Sequence, residues 1–292
     1  MKVIITIPAH NEEEKIGKVV ADIFSILKEK SIDGEVIVVD DGSMDHTAQI
    51  ATEKGAYVVS HPIKLGLAES FRTEVKTCLS RGADIIVHID ADSQYSPEEI
   101  PKLLKEIEDG YDLVLGSRFL GTIESMPLIK RIGNKLFSKV VSHITGLKIT
   151  DAQTGFRAFK KEVAQNIDII SNHTYTQEQT IKASRKFKIK EVPVHFSKRD
   201  GPSRLIKNPF EYAIRAVITI IRIYRDYKPL SFFGLIGGIP FVIGSIIGVW
   251  FSYEHFLGGG VKGHLLLSIF MMLLVLIGIQ IILFGFLADM RR

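Results

Sequence analysis

Asp90 and Asp92 stand one residue apart at the end of the apolar run 84–89, and Gln94 follows two residues later. On a strand, residues i and i+2 point the same way, so the two carboxylates could be aimed at one hard cation, with Gln94 adding a neutral oxygen. By itself, Asp-x-Asp is equally at home in a solvated turn. A second acidic element, Asp40-Asp41-Gly42-Ser43-Met44-Asp45, also ends a β-rich run. A carboxylate there can accept hydrogen bonds from a nucleobase or a ribose, while Gly42 lets the backbone turn sharply; the bland alternative is a turn followed by a helix cap. Pro8-Ala9-His10-Asn11-Glu12 closes the first β-rich run in similar fashion. In open α/β sheets, ligands collect beyond the carboxyl ends of the strands. These three ends would bring Asn11, Glu12, Asp40, Asp41, Asp90 and Asp92 to one crevice, and so much acid requires a cation or a polar ligand.

The elements that would carry these groups alternate. Residues 3–7, 35–39, 56–59, 84–89 and 112–115 read as strands, and 12–30, 45–54, 67–81 and 97–109 as helices. That alternation predicts a mostly parallel sheet with helices on both faces. Ser96-Pro97-Glu98-Glu99 marks a helix start, with a cap residue, a proline in the first turn and acids near the positive end of the dipole. Further on, 155–159 and 190–196 read as strands and 177–186 as a helix. The polar glycine and proline segment 197–204 is a candidate lid. In 208–227, Ile214, Val217, Ile218 and Ile221 share one side and Arg215, Arg222 and Arg225 lie elsewhere, the pattern of a helix at a membrane surface.

The 292 residues are 46% hydrophobic yet 24% charged, so the apolar excess must be localised. Residues 230–253 and 265–288 are uncharged stretches of 24 residues each, and about 36 Å of helix is enough to cross a bilayer. Arg222, Arg225 and Lys228 precede the first stretch and Arg291 and Arg292 follow the second, whereas the loop between them has only Lys262 besides histidines. The catalytic part and both termini are therefore expected in the cytoplasm. The only cysteine, Cys78, excludes an intramolecular disulfide, and no signal peptide is visible. A net charge of +4 is too small to argue for nucleic acid.

One further segment pairs two stripes. Across 128–144, Ile129, Ile132, Leu136, Val140 and Ile144 recur on one helical face, and Arg131, Lys135 and Lys139 run parallel to them, with Ser138 and His143 nearby. An anionic lipid headgroup requires this combination; the alternative is a solvated basic face covering a core helix, since lysine stems often lie along apolar surface.

Taken together, Pro8-Ala9-His10-Asn11-Glu12, Asp40-Asp41-Gly42-Ser43-Met44-Asp45 and Asp90-Ala91-Asp92 resemble the family 2 glycosyltransferases of the GT-A fold. Gly116-Ser117-Arg118, the segment Asp151-Ala-Gln-Thr-Gly-Phe-Arg157, Glu191-Val192-Pro193-Val194, Arg199 and Gly201-Pro202-Ser203-Arg204 are similar to the dolichol-phosphate mannose synthase branch and its bacterial polyprenyl-phosphate glucosyltransferase relatives. The resemblance covers roughly residues 1–230, and the two apolar stretches resemble the tail of the bacterial relatives. Arg204 departs from the lysine of many relatives, keeping the charge but changing donor geometry.

The resemblance implies a membrane-bound inverting transferase that moves mannose, glucose or N-acetylglucosamine from a GDP- or UDP-sugar to dolichyl or polyprenyl phosphate. It implies an α/β GT-A (Rossmann-like) domain over 1–204, an amphipathic interface helix over 205–228 and a two-helix transmembrane domain over 229–292. Pro8, His10, Asn11, Glu12, Asp40, Asp41, Asp90 and Ala91 would serve the donor nucleotide, and Asp90, Asp92 and Gln94 would hold Mg²⁺ or Mn²⁺. Asp92, Arg118 and Arg199 would act in catalysis, Arg131, Lys135 and Ser138 would meet the acceptor phosphate, and Arg199, Ser203 and Arg204 would form the lid. Membrane lipid and a second copy of the chain are the expected partners, and no nucleic acid is. A processive polysaccharide synthase is the rival enzyme, but Gln-x-x-Arg-Trp does not occur, and the only tryptophan, Trp250, lies inside an apolar stretch. A non-catalytic lipid- or sugar-nucleotide-binding protein would have no use for both metal aspartates. A dinucleotide oxidoreductase or P-loop protein lacks its glycine-rich signature here.

Overall fold

The computed structural model describes residues 1–170, 175–198, 209–257 and 264–290. Arg199, Ser203, Arg204, Lys262, Arg291 and Arg292 lie outside the described residues. The chain divides into two compact units, Met1–Ala213 and Ile214–Arg292.

The first unit is built on a seven-stranded sheet in the order β3-β2-β1-β4-β6-β5-β7. Its strands are β1 (Val3–Ala9), β2 (Gly34–Asp40), β3 (Tyr57–Ser60), β4 (Ile85–His88), β5 (Leu113–Ile123), β6 (Arg157–Lys160) and β7 (Ile189–Phe196). β1, β2, β3 and β4 are parallel neighbours, and β5 is parallel to β7. β6 alone runs antiparallel, between β4 and β5. Helices α1 (Glu13–Glu29), α2 (Thr47–Glu53), α3 (Leu67–Ser80), α4 (Ile100–Glu108), α5 (Leu128–Thr145), α6 (Lys161–Asn166) and α7 (Thr176–Ala183) complete the unit.

Strand alternation sorts the core into two layers. Val3, Ile5 and Ile7 of β1 join Ile16, Val20 and Ile23 of α1 and Leu103 and Ile107 of α4. Ile4, one residue out of phase, joins Phe71 and Cys78 of α3, Val163 of α6 and Tyr175 before α7. A period of two thus places α1 and α4 on one face and α3, α6 and α7 on the other. The predicted strands and helices of the first 115 residues are all present, as are the later strands and the helix near 177.

One sequence expectation needs correction, and for α5 the alternative of a stripe covering the core does not hold at Ile129, Ile132 and Leu136. β4 stops at His88, so Asp90 and Asp92 are not successive same-face residues of a strand. They lie in the turn that follows, where Ser93 takes a left-handed φ of 60° and Asp92 Oδ1 accepts the Gln94 N–H at 3.1 Å. On α5, the buried residues are Gly133, Asn134, Phe137, Ser138 and Val141, while Ile129, Ile132 and Leu136 of the apolar stripe are exposed.

In the second unit, most of helix α8 (Pro209–Tyr227) leads into α9 (Pro229–Phe256) and α10 (Leu265–Met290). α9 and α10 are long and apolar enough to cross a bilayer. Only 11% and 6% of their most apolar windows are buried, whereas a core helix of a soluble protein would be mostly buried. Ile214, Val217, Ile218 and Ile221 of α8 are exposed, as are Arg222 and Arg225.

Candidate active site

Two loops, after β1 and after β2, are tied together by side chains at their strand ends. Asn11, at a left-handed φ of 54°, donates its N–H to Ser43 Oγ at 2.9 Å and accepts from Met44 N–H at 2.8 Å. Thr47 Oγ1 accepts the Glu12 N–H at 2.9 Å, and His10 Nδ1 lies 2.9 Å from the Asp41 carbonyl oxygen. Asp40 is buried and accepts the Ser43 N–H through Oδ1 at 3.1 Å. Gly42, at φ 67°, is required between them, because a Cβ would stand 2.5 Å from the backbone of Ile63.

Asp41 is committed to shaping this wall. It accepts the Leu65 and Gly66 N–H groups at 2.8 and 2.9 Å, and His61 Nδ1 approaches it at 2.9 Å. Burial alone would raise its carboxyl, but His61 and the two N–H groups outweigh it and hold the group below the usual carboxylate range. Pro8 and Ala91 contribute backbone and small surface, Pro8 within β1 and Ala91 buried in the turn after β4.

Asp90 is half-buried in the turn after β4. Its side chain is 35% exposed. A Cβ on Gly155 would come within 2.7 Å of Asp90 Oδ2, so that glycine is the floor on which the carboxylate rests. Burial pushes its carboxyl up, but His88, Arg118 and Lys130 together hold it below its ordinary value. Asp90 is therefore ionised near neutral pH. Gln94 is buried and donates its side-chain N–H to the Ser197 carbonyl at 3.1 Å. Among the described residues no cluster of three or more His, Cys, Asp or Glu side chains could hold a metal. Two carboxylates and an amide oxygen nevertheless fit a cation such as Mg²⁺ or Mn²⁺, which takes few protein ligands and completes its shell with water and substrate phosphate oxygens.

Arg118 reaches the site as half of a buried ion pair. Its Nε and Nη2 donate to Asp151 Oδ2 and Oδ1 at 2.7 and 2.8 Å, and its backbone N–H adds a third bond at 3.1 Å. Asn134, with its amide orientation assigned from its partners, accepts from Arg118 Nη2 at 3.2 Å and donates to Lys130 O and Gln153 Oε1. Among the described residues Nη1 of Arg118 has no hydrogen-bond partner. Glu191 accepts N–H bonds from Thr150 and Asp151 and so fixes the segment that carries Asp151. Ser138 is likewise committed: its hydroxyl donates to Asn134 O at 2.8 Å and accepts the Ala152 N–H at 3.0 Å. Arg131 and Lys135 are exposed on α5, with Lys135 Nζ 5.7 Å from the Phe119 ring.

Sequence reasoning missed several members of this constellation. Lys130, half-buried, acts on Asp90, whereas Arg131 beside it is exposed. The spacing of Lys130, Asn134 and Ser138, each four residues apart, is the stripe a helix would turn inward, and it was visible in the sequence. His88, Glu74 and Tyr175 form a buried group beneath Asp90. His88 Nδ1 lies 2.6 Å from Glu74 Oε2 and Nε2 lies 2.6 Å from Tyr175 Oη. Burial opposes charge on His88, but Glu74 and Asp90 outweigh it and raise the imidazole to about 9.

Residues 4–168 match the family described as Glycosyl transferase family 2, and the chain belongs to that family. A dolichyl-phosphate hexose transferase of Haloferax volcanii is 35% identical over 208 residues, covering 70% of this chain and 86% of that protein. A dolichol-phosphate mannosyltransferase of Pyrococcus furiosus is 30% identical over 252 residues, covering 81% of this chain and 68% of the other. Among solved structures, glucosyl-3-phosphoglycerate synthase from Mycobacterium tuberculosis, in complex with Mn²⁺, UDP-glucose and phosphoglyceric acid, superposes with a TM-score of 0.58. That likeness, at 21% identity over 75% of this chain and 79% of the other, shows a shared fold.

Proposed function

We propose that the protein transfers a hexose, or its N-acetylamino form, from a GDP- or UDP-sugar to a polyprenyl phosphate such as dolichyl phosphate. The observation that carries this reading is the double character of α5. Its inner face meets Arg118, the cation that acts on Asp90, while its outer face exposes Ile129, Ile132 and Leu136 beside Arg131 and Lys135. An acceptor that combines a phosphate with a long apolar chain matches both faces, and relatives named for dolichyl-phosphate hexose transfer support it.

In this reading the wall formed by Pro8, His10, Asn11, Glu12, Asp40 and Asp41 receives the nucleoside, and Asp90, Asp92 and Gln94 would hold Mg²⁺ or Mn²⁺ against the donor diphosphate. A structural neighbour described with Mn²⁺ and UDP-glucose supports that assignment. A bound divalent cation supplies Lewis-acid stabilisation of the departing diphosphate. Arg118, and Arg199 from outside the described residues, add positive charge where negative charge builds. Arg131 and Lys135 hold the acceptor phosphate, and Ser138 keeps the 150–152 segment in register with α5. An acceptor phosphate oxygen attacks the anomeric carbon as its bond to the nucleoside diphosphate breaks, inverting that centre. The phosphate is already anionic near neutral pH, so no dedicated base is needed. α9 and α10 anchor the enzyme in the membrane, with the catalytic unit and both termini cytoplasmic; a reporter fused after Arg292 should stay in the cytosol.

Mass spectrometry of the lipid product, after incubation with polyprenyl phosphate and a panel of GDP- and UDP-sugars, tests the reaction. Turnover should require Mg²⁺ or Mn²⁺. Asp90→Ala and Asp92→Ala should each lower it on the order of 10²- to 10³-fold, the loss expected of a principal charge stabiliser. Full turnover in excess chelator rejects the metal assignment.

A further inference from the structure

Beneath Asp90 the core holds buried polar side chains, among them Arg157, which stands opposite His88 in the register of β4 and β6 with its guanidinium 5.2 Å from the Tyr175 ring. His88 and Glu74 have fully buried side chains, and so does Tyr175. They sit among Phe71, Ile86 and Phe159, in the core shared by the sheet, α3 and α7. Tyr175 stacks on Phe71 at 3.9 Å between ring centroids, which fixes the direction of its hydroxyl toward His88. Thr6 Oγ1 and Glu74 Oε1, also buried, make no hydrogen bond among the described residues. Burying such groups costs stability unless they are fully paired, and an apolar filling of the same volume is often no less stable. Fold stability alone therefore gives no reason for this arrangement.

Its position does. His88 is the last residue of β4, two before Asp90, and its Nε2 stands 3.8 Å from Asp90 Oδ1. Glu74 anchors the other ring nitrogen from α3, so the imidazole cannot turn away. On the opposite side, Gly155 leaves no room for any side chain against the Asp90 carboxylate.

We propose that His88 is a positioning residue: with Glu74 and Tyr175 it holds the Asp90 carboxylate in the orientation that a divalent cation and the donor diphosphate require. This rests on the metal-dependent reading given above. Partners of ligating carboxylates are worth about ten- to a hundredfold in metal affinity, and that is the scale expected here.

The test uses the full chain in detergent, with free Mn²⁺ followed by electron paramagnetic resonance in the presence of UDP or GDP. Removing both buried partners together, as Glu74→Leu/His88→Phe, avoids stranding a charge. The double variant should melt close to the parent temperature yet bind Mn²⁺ about ten- to a hundredfold more weakly. In an Asp90→Asn background the same pair of changes should weaken binding no further, because the residue being positioned has lost its charge. Unchanged Mn²⁺ affinity in the folded double variant overturns the proposal. Should that variant fail to fold, Tyr175→Phe decides: it keeps the stack on Phe71, and a few-fold loss of Mn²⁺ affinity is expected, whereas none refutes the role. A parent protein that binds no Mn²⁺ with either nucleoside diphosphate overturns the metal-dependent reading as well, which separates that failure from this one.

Discussion

Helices α4 and α5 carry comparable apolar stripes and use them in opposite directions. In α4, Ile100, Leu103, Leu104 and Ile107 all enter the core under the sheet, and the charged residues face out. In α5, Leu128, Ile129, Ile132 and Leu136 face out, while Asn134, Ser138 and the half-buried Lys130 face in. Periodicity shows that a helix has an apolar side; it does not show which side meets the protein. In α5 the inward side buries Phe137 and Val141 together with Asn134, which meets the guanidinium of the buried Arg118–Asp151 pair. The outer apolar side is then left for something other than this unit's core.

The largest effect should come from the inner side of α5. Asp151→Ala leaves the Arg118 guanidinium buried without its carboxylate, and breaking such a pair costs about 3–5 kcal/mol. Thermal unfolding should register the loss. A change below about 1 kcal/mol would mean that α5 is held in its orientation by something else. The next effect separates the two helices directly. Leu103→Ala in α4 should destabilise by about 2–5 kcal/mol, as buried leucine truncations do, while Leu136→Ser in α5 should stay within about 0.5 kcal/mol, as for an exposed site. Leu136→Ser should instead raise the apparent KM for a long-chain polyprenyl phosphate and leave that for a short-chain analogue unchanged. Equal destabilisation by the two substitutions would erase the contrast.

Much of the proposed donor side was legible because strand periodicity and the acids at strand ends are local signals. The strands near residues 3, 35, 57 and 85 and the crevice acids Asp40 and Asp90 followed from short windows of sequence. Three things did not follow. The antiparallel direction of β6 depends on which neighbours it joins, β4 and β5, and alternation carries no direction. The orientation of Asp92 depends on the turn at Ser93, since β4 ends too early for alternation to reach it. The group under Asp90 joins Glu74 to His88 across 14 positions and His88 to Tyr175 across 87, and none of the three has a local partner to announce it. Asp41 shows the converse: its acid was legible, but its engagement with Leu65 and Gly66 as a loop cap was not.

The smallest effect, and the sharpest test of α5, lies in its basic residues. Lys130 is half-buried and its charge acts on Asp90; Arg131, one position on, is exposed with the outer stripe. If the acceptor phosphate sits at the outer side, Arg131→Ala should raise the apparent KM for polyprenyl phosphate about tenfold, the worth of one charge-assisted hydrogen bond at the low end of its range. Lys135→Ala should do less, because a lysine offers a point charge where arginine offers a fork, and because this one also lies near the Phe119 ring. Neither change should move donor binding measured without acceptor. Lys130→Ala should do the reverse, altering donor affinity through Asp90 and leaving the acceptor dependence nearly intact. If Lys130→Ala produces the acceptor defect and Arg131→Ala does not, the phosphate is received on the inner face, between Lys130 and Nη1 of Arg118. The outer stripe would then serve the lipid chain alone.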